Sequence, residues 1–330
     1  MGSLNIDSLE RAAAVAALAL FGAASASSQS LVLAQTIDLP AVTGRIDHLD
    51  IDLEGNRLFV AALAAGSLEV IDLRTSKRIG RLTPLSEPQG VAYLPARHRI
   101  VVASGGSGRV EAYESAPSAV ASVANLDDAD KLRFDARLNH LFVGYGHALA
   151  VLDPQTLAIT GRIELPGHPE AFELEPSGRR IFVNVPSAGQ IAVIDRQSGT
   201  IASTWPVTGA TGNFPMAVDD SSNRLYIATR RPALLQAYDT TTGKRIAELP
   251  ICGDADDLFF GAQRRQLYAV CGQGLVDVVR RREDRYEVVE RLQTAPGART
   301  GLFVSRLSTL FVAVPARTDS PAQIRAYTIK

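Results

Sequence analysis

The chain has 330 residues, of which 46% are hydrophobic and 21% charged, and its formal net charge is −1. Such a composition supports a large core and excludes an intrinsically disordered chain. No basic run exceeds Arg280-Arg281-Arg282, so charge-driven binding to a phosphate backbone is disfavoured and no nucleic-acid partner is expected.

The first distinctive segment is the Ala/Leu-rich stretch from Ala12 to Ala26, which ends in Ala24-Ser25-Ala26. It is short for a bilayer span and closes on a small-x-small cleavage pattern, as a secretory leader does. Asp7 and Glu10 beside Arg11 are unusual in a leader; the alternatives are a start other than Met1 or an amphipathic N-terminal helix. Read as a signal peptide over residues 1–26, the stretch predicts a periplasmic or secreted protein, with no membrane span and no lipid-anchor cysteine after the cut.

Leu31–Leu39 then reads as a strand that belongs to no repeat of its own. From about residue 45 onward a single pattern recurs, most clearly in Pro166–Trp205. There Gly167-His168-Pro169-Glu170 opens an alternating run, Ala171-Phe172-Glu173-Leu174. Turns at Pro176-Ser177-Gly178, Ser187-Ala188-Gly189 and Ser198-Gly199 separate it from Arg180–Asn184, Ile191–Asp195 and Ile201–Trp205. Short runs rich in β-branched and aromatic residues, bounded by Gly, Ser or Pro, are consecutive antiparallel strands. Trp205 falls in the outermost of them, where packing is its simplest role.

The second strand recurs as Leu58-Phe59-Val60, Ile100-Val101-Val102, Leu141-Phe142-Val143, Ile181-Phe182-Val183, Leu225-Tyr226-Ile227, Leu267-Tyr268-Ala269 and Leu310-Phe311-Val312. The third strand follows in phase, as in Glu69-Val70-Ile71-Asp72, Ala192-Val193-Ile194-Asp195 and Gln236-Ala237-Tyr238-Asp239. Seven four-stranded repeats at this spacing predict an all-β, seven-bladed β-propeller, one domain over residues 27–330 and a monomer. The last repeat, from Arg299 to Lys330, lacks a fourth strand, so Leu31–Leu39 is expected to complete blade seven and close the ring. Cys252 precedes the inner strand of blade six and Cys271 ends its second, both on the face called here the top. A disulfide between them is expected, with two buried thiols as the alternative. No CxxC or CxxCH occurs, against a zinc or haem site.

Eleven residues before each second-strand start lies the residue that opens an inner strand at the top of the axial funnel. These are Asp47, Gln89, Asp130, Glu170, Phe214, Asp256 and Arg299, with neighbours His48, Asp128, Lys131, His168, Asn213, Asp257 and Thr300. Inner strands otherwise want apolar residues, so a ring of polar ends is the row least explained by folding. Four carboxylates around one funnel repel, and a cation, Arg299 with Lys131, trapped protons or water must offset the repulsion.

Asp47, His48, Asp130, His168, Glu170 and Asp256 form the candidate metal set. Imidazoles with carboxylates suit a divalent transition ion, and carboxylates alone suit Ca²⁺ or Mg²⁺. No HxxxH or HExxH spacing occurs, and His48 and His168 stand three blades apart. A small polar molecule is the other guest, with Gln89, Asn213, Asp257, Arg299, Arg230, Tyr145 and His147 as candidate contacts; the Arg230-Arg231 pair would suit an anion. His98 and His140 map to the bottom, where a solvated ring is the simpler reading. Gly105, Gly106 and Gly108 precede no helix and read as a turn, not a phosphate cradle. No Ser stands in a GxSxG setting.

The strand rows resemble the YVTN/YncE-like seven-bladed propellers of bacteria, over essentially the whole chain from Leu31 to Lys330. Arg45-Ile46-Asp47-His48-Leu49, Asp127-Asp128-Ala129-Asp130, Gly167-His168-Pro169-Glu170, Asn213-Phe214-Pro215-Met216, Gly253–Leu258 and Ala295–Thr300 look like the blade-opening motifs of an exported subgroup. The resemblance implies fold and export. Related seven-bladed folds include 6-phosphogluconolactonase-like lactonases and virginiamycin B lyase-like enzymes, the latter using metal, His and Glu near the funnel; no motif carries over position by position. Three functions follow as expectations: a module binding a small polar ligand or divalent ion in the funnel, a metal-dependent lactonase or lyase working through His48, His168 and Glu170, or an interaction scaffold.

Overall fold

The computed structural model describes Met1, residues 30–114 and residues 118–330. The predicted leader lies outside the described residues. Every repeat folds as four antiparallel strands, in seven sheets whose first strands meet their neighbours' all the way round. Blade one, with strands Leu49–Asp52, Arg57–Ala62, Ser67–Asp72 and Lys77–Leu82, shows the pattern. Leu58 to Ala62 are all 0% exposed, because the second strand is covered by the adjacent blade on each face. The outer strand has no buried residue.

The aspartate ending most third strands has a local reason. One carboxylate oxygen accepts the next two free backbone N–H groups of the turn: Asp72 from Arg74 and Thr75, Asp153 from Gln155 and Thr156, Asp195 from Gln197 and Ser198, Asp239 from Thr241 and Thr242. Those are Asx turns, and they fix the hairpin to the outer strand. On the top side, Gly105–Ser107 forms a 3₁₀ turn ended by Gly108 at φ +58°, a backbone state that glycine enters without steric cost. Trp205 is 8% exposed and packs between Phe182, at 5.5 Å, and Tyr238, at 6.3 Å.

Leu31–Leu39 pairs antiparallel with Ala322–Ile329 and supplies the fourth strand of blade seven. Leu31, Ile37 and Leu39 are at most 1% exposed. Ser30 and the Leu31 amide donate to Glu290 of blade six, and Arg78 of blade one donates to the Pro40 carbonyl at 2.9 Å. One strand therefore ties three blades. Cys252 and Cys271 form a disulfide with a Cα separation of 5.9 Å, at the root of the loop that carries Asp254, Asp256 and Asp257. Among the described residues no helix is long and apolar enough to cross a membrane.

A chain starting at Pro40 loses three buried aliphatic anchors, each stabilising by about 1.5–3 kcal/mol. Its melting temperature is expected to fall by about 10 °C or more; a melting curve superimposable on that of the full chain would remove the clasp from the argument. Replacing both Cys252 and Cys271 by Ala is expected to lower unfolding stability by about 3 kcal/mol, measured by urea titration against the oxidised protein.

Candidate functional site

Backbone pairing carries the inner strands up to the mouth of the channel. Asp47 N–H donates to the Ala61 carbonyl at 2.8 Å and Ala61 N–H to the His48 carbonyl at 3.0 Å; Asp130 and Gly144, then Gly144 and Lys131, repeat the exchange at 2.9 Å. Glu170 N–H reaches the Asn184 carbonyl at 3.2 Å. These residues are held by ladders and cannot swing away as loop side chains do. Blades two and three come so close that a Cβ on Gly90 would lie 2.1 Å from the Asp130 carbonyl oxygen, so glycine is required there.

The mouth carries a chain of alternating charge. Arg299 pairs with Asp254 at 3.0 Å, and Arg230 bridges Asp254, at 3.2 Å, and Asp256. Arg45 spans Asp256, at 3.8 Å, and Asp47, at 2.9 Å. His48 Nε2 then stands 3.7 Å from Asp47 and 3.6 Å from Asp130, and its Nδ1 lies 3.9 Å from Asp257. Lys131 approaches the same Asp257 oxygen at 3.4 Å, while the other accepts Gly301 N–H at 2.9 Å. The Arg230 guanidinium lies 3.7 Å over the Phe214 ring, which fixes it as a cation–π pair.

Two acids lie outside this compensation. Asp130 Oδ1 is buried and accepts no hydrogen bond among the described residues, and Glu170 makes no ion pair there. Burial, reinforced by Glu170 and Asp128 and opposed by Lys131 and Arg45, pushes Asp130 up to about 7. Burial and Asp256 push Glu170 up to about 7, against Arg230 and Arg45. Asp47 is raised well above the carboxylate range by burial and then by Asp130, and burial raises Asp257. Burial holds His48 well below its usual value, with Lys131, Arg133 and Arg45 adding to the shift; it is a neutral imidazole at pH 7. Asp130, Glu170 and their neighbours enclose a cavity of about 20 Å³. Below it the channel holds a second cavity of about 50 Å³, lined by His48, Lys131, Arg133, Asp257 and Phe259. Spaces of this size take water or a small ion.

The structure brings together Asp47, His48, Asp130, Glu170, Asp256 and, beneath them, Asp257. It leaves the other candidates elsewhere. His168 turns to the rim, with Nδ1 at 3.1 Å from the Gly146 carbonyl and 3.7 Å from Asp128, and shares no partner with His48. Gln89 donates to that same Asp128 at 3.0 Å. Asn213 is fully buried, its amide donating to Asn184 Oδ1 at 3.0 Å and the Gln190 carbonyl at 3.2 Å, so it locks blade four to blade five. Tyr145 packs in the core between blades two and three, because its strand alternation points it away from the axis. His147 and Arg231 are exposed on the top surface. Among the described residues no three His, Cys, Asp or Glu side chains converge as a metal-ligand group.

Of the two cations expected, Lys131 serves Asp257 in the channel, whereas Arg299 serves Asp254 on the rim, and Arg45 and Arg230 balance the mouth in its place. Arg45 was legible: it stands two residues before Asp47, in the row that holds Glu87, Asp128, His168 and Asp254 in other blades. Arg133, which pairs with Glu173 at 2.6 Å, gives no such signal, since inside a strand it resembles any outward-facing residue.

Because Asp130 and Glu170 titrate higher folded than unfolded, the folded state holds extra protons between roughly pH 4 and pH 7. The cluster therefore costs stability above pH 7, and that cost disappears as pH falls toward 4. Asp130→Asn is expected to stabilise the protein near pH 8 by on the order of 1 kcal/mol or more, and to give no advantage near pH 4. Thermal melts at both pH values decide it; a variant destabilised equally at both would show that the carboxylate is satisfied in the fold.

No family model matches the chain, and no curated protein sequence matches it. A solved structure described as the crystal structure of mitotic checkpoint complex contains a chain of similar fold, with a TM-score of 0.77 and 12% identity over 99% of each chain. At that identity the likeness extends to the fold alone: this chain is a seven-bladed β-propeller.

Proposed function

We propose that the protein is an exported, YncE-like propeller that binds a small cation at the top mouth of its channel, either a hard divalent ion or the ammonium head of a polar molecule. The observation that carries the reading is the pair Asp130 and Glu170. Both are largely desolvated and pushed up to about 7; Asp130 has only the neutral His48 at 3.6 Å beside it, and Glu170 has no ion pair among the described residues, so a cation entering there displaces protons and relieves repulsion that the fold leaves in place. The donor set bears on which cation. A transition ion needs three or four nitrogen, sulfur or carboxylate ligands converging, which the candidate set of Asp47, His48, Asp130, His168, Glu170 and Asp256 does not provide. Mg²⁺ binds through one or two carboxylates and keeps its waters, and Asp130 with Glu170 suits it. The cavity dimensions favour an ion or a head group over a whole sugar. The repeat rows and the disulfide support the family reading and an oxidising compartment, periplasmic or extracellular.

A second reading is an enzyme, and the same titration favours it. A carboxyl group near pH 7 beside a neutral His48 is suited to general acid–base work, as a lactonase or lyase at this mouth would require. Isothermal titration with Mg²⁺, Ca²⁺ and tetramethylammonium separates the possibilities. At pH 8 one of the three is expected to bind, with affinity falling about tenfold or more by pH 6 and with protons released. Loss of binding in Glu170→Gln with Asp130→Asn supports the site, and turnover of a lactone panel that is lost in Glu170→Gln supports the enzyme. Binding of none of the three, or binding unaffected by the double substitution, rejects the proposal and leaves the scaffold.

A further inference from the structure

At the end opposite the acidic mouth, the bottom of blades six and seven carries five arginines that the fold does not neutralise. The inner hairpin of blade six turns through Arg264 and Arg265, its outer hairpin is flanked by Arg282 and Arg285, and the inner hairpin of blade seven turns through Arg306. All five are exposed, and none has an ion pair among the described residues. Of the acids on the outer hairpin, Asp284 pairs with Arg224 at 2.9 Å, Glu287 with Arg280 at 3.8 Å, and Glu290 accepts from Ser30 at 2.7 Å, while Glu283 has no such partner among the described residues. The three hairpins abut. Arg281 N–H donates to the Arg265 carbonyl at 3.0 Å and joins the two hairpins of blade six. Gln263 and Arg264 face Ser305, Ser308 and Ile329 of blade seven across a space of about 20 Å³.

Folding alone gives no reason to keep several of these arginines. Arg282 and Arg285 stand directly opposite each other across a two-residue turn, where like charges destabilise the pairing. Arg265 closes its turn at φ +52°. Asn56, Asn139 and Asn223 hold the same place in blades one, three and five, because asparagine enters the left-handed region at less cost than a long side chain. An asparagine at 265 and a neutral residue at 282 or 285 would each ease the fold, and arginine stands there instead.

The arrangement fits an extended negative surface. The charges are spread over three hairpins, and the space between the two blades is water-sized, so among the described residues no enclosed pocket gathers them around a single phosphate or carboxylate. Leu307, at the tip beside Arg306, is 44% exposed. An apolar tip among guanidinium groups matches the boundary between lipid headgroups and acyl chains; a purely acidic partner would leave that leucine in water. We propose that the bottom of blades six and seven docks on an anionic phospholipid bilayer. Arg264, Arg265, Arg282, Arg285 and Arg306 lie at the headgroups, Leu307 enters the interface, and the acidic mouth is held away from the membrane.

Co-sedimentation of the full chain with vesicles tests the docking, using phosphatidylcholine alone and a phosphatidylcholine–phosphatidylglycerol mixture. At low salt the mixture is expected to bind with a lipid Kd of about 1 mM or tighter, and neutral vesicles about tenfold more weakly or worse. Raising the ionic strength to about 0.5 M is expected to remove the difference. Arg264→Gln with Arg306→Gln is expected to weaken binding about tenfold or more and to leave the melting temperature in place, since neither side chain has an ion pair to lose. Arg231→Gln removes a charge from the top surface and is expected to leave binding unchanged. The new indole of Leu307→Trp is expected to shift its emission to the blue on the mixed vesicles, against the constant background of Trp205, which is 8% exposed. Failure to bind the mixed vesicles overturns the proposal and leaves the patch to an acidic protein. Equal binding to both vesicles, a loss in Arg231→Gln as large as in the double variant, or an indole that stays in water overturns it as well.

Discussion

A four-stranded sheet that is apolar on both faces cannot persist in water by itself, and that constraint governs this protein. Each blade covers its neighbours, so the second strands are dry on both sides and the arrangement holds only if the last blade meets the first. Closure rests on one antiparallel pairing between Leu31–Leu39 and Ala322–Ile329, the longest-range strand pairing among the described residues. The remaining geometry follows from it: the tilt that gathers the inner strands, the narrow channel, and the spacing of its charged ends.

Gathering the inner strands places ionisable groups where water is scarce. On an open surface Asp47, Asp130, Glu170, Asp256 and Asp257 would each be solvated and unremarkable. Around a closed channel they must be compensated by one another's counter-ions, and Arg45, Arg230 and Lys131 do this for three of them. Asp130 and Glu170 retain the residual imbalance. A fold selected only for stability has cheaper solutions at an axis, such as small apolar residues, so the persistence of this imbalance is the argument for a guest. The buried disulfide beneath the Asp254–Asp257 loop is consistent with that demand, since it holds one wall of the mouth in place.

The junctions between blades are equivalent in backbone and unequal in filling. Where Phe182 is roofed by an indole and a phenol, Phe142 packs with Ile163 and Ile194 and is 1% exposed, so aliphatic side chains close that junction at the density of protein interiors. Repetition thus supplies seven similar junctions, each closed by its own set of side chains.

The amino-acid sequence determined the blade count, the strand order, the closing strand, the disulfide and the row of residues around the mouth, because all of these follow from local periodicity and from a repeat whose length varies by only a few residues. The alternation of apolar residues sets which side chains face a neighbouring blade, and turn residues set where each strand stops. Only the tertiary structure decided which acids are compensated and which are not. Arg45 and Asp256 are far apart in the chain, as are His48 and Asp257, and their pairing depends on how seven separate strands are rotated about one axis. The same holds for Tyr145 and Asn213, whose polar groups look available in the sequence and are turned into blade junctions by strand direction. Ion pairing and desolvation are set by distances across the ring, and those distances exist only once it has closed.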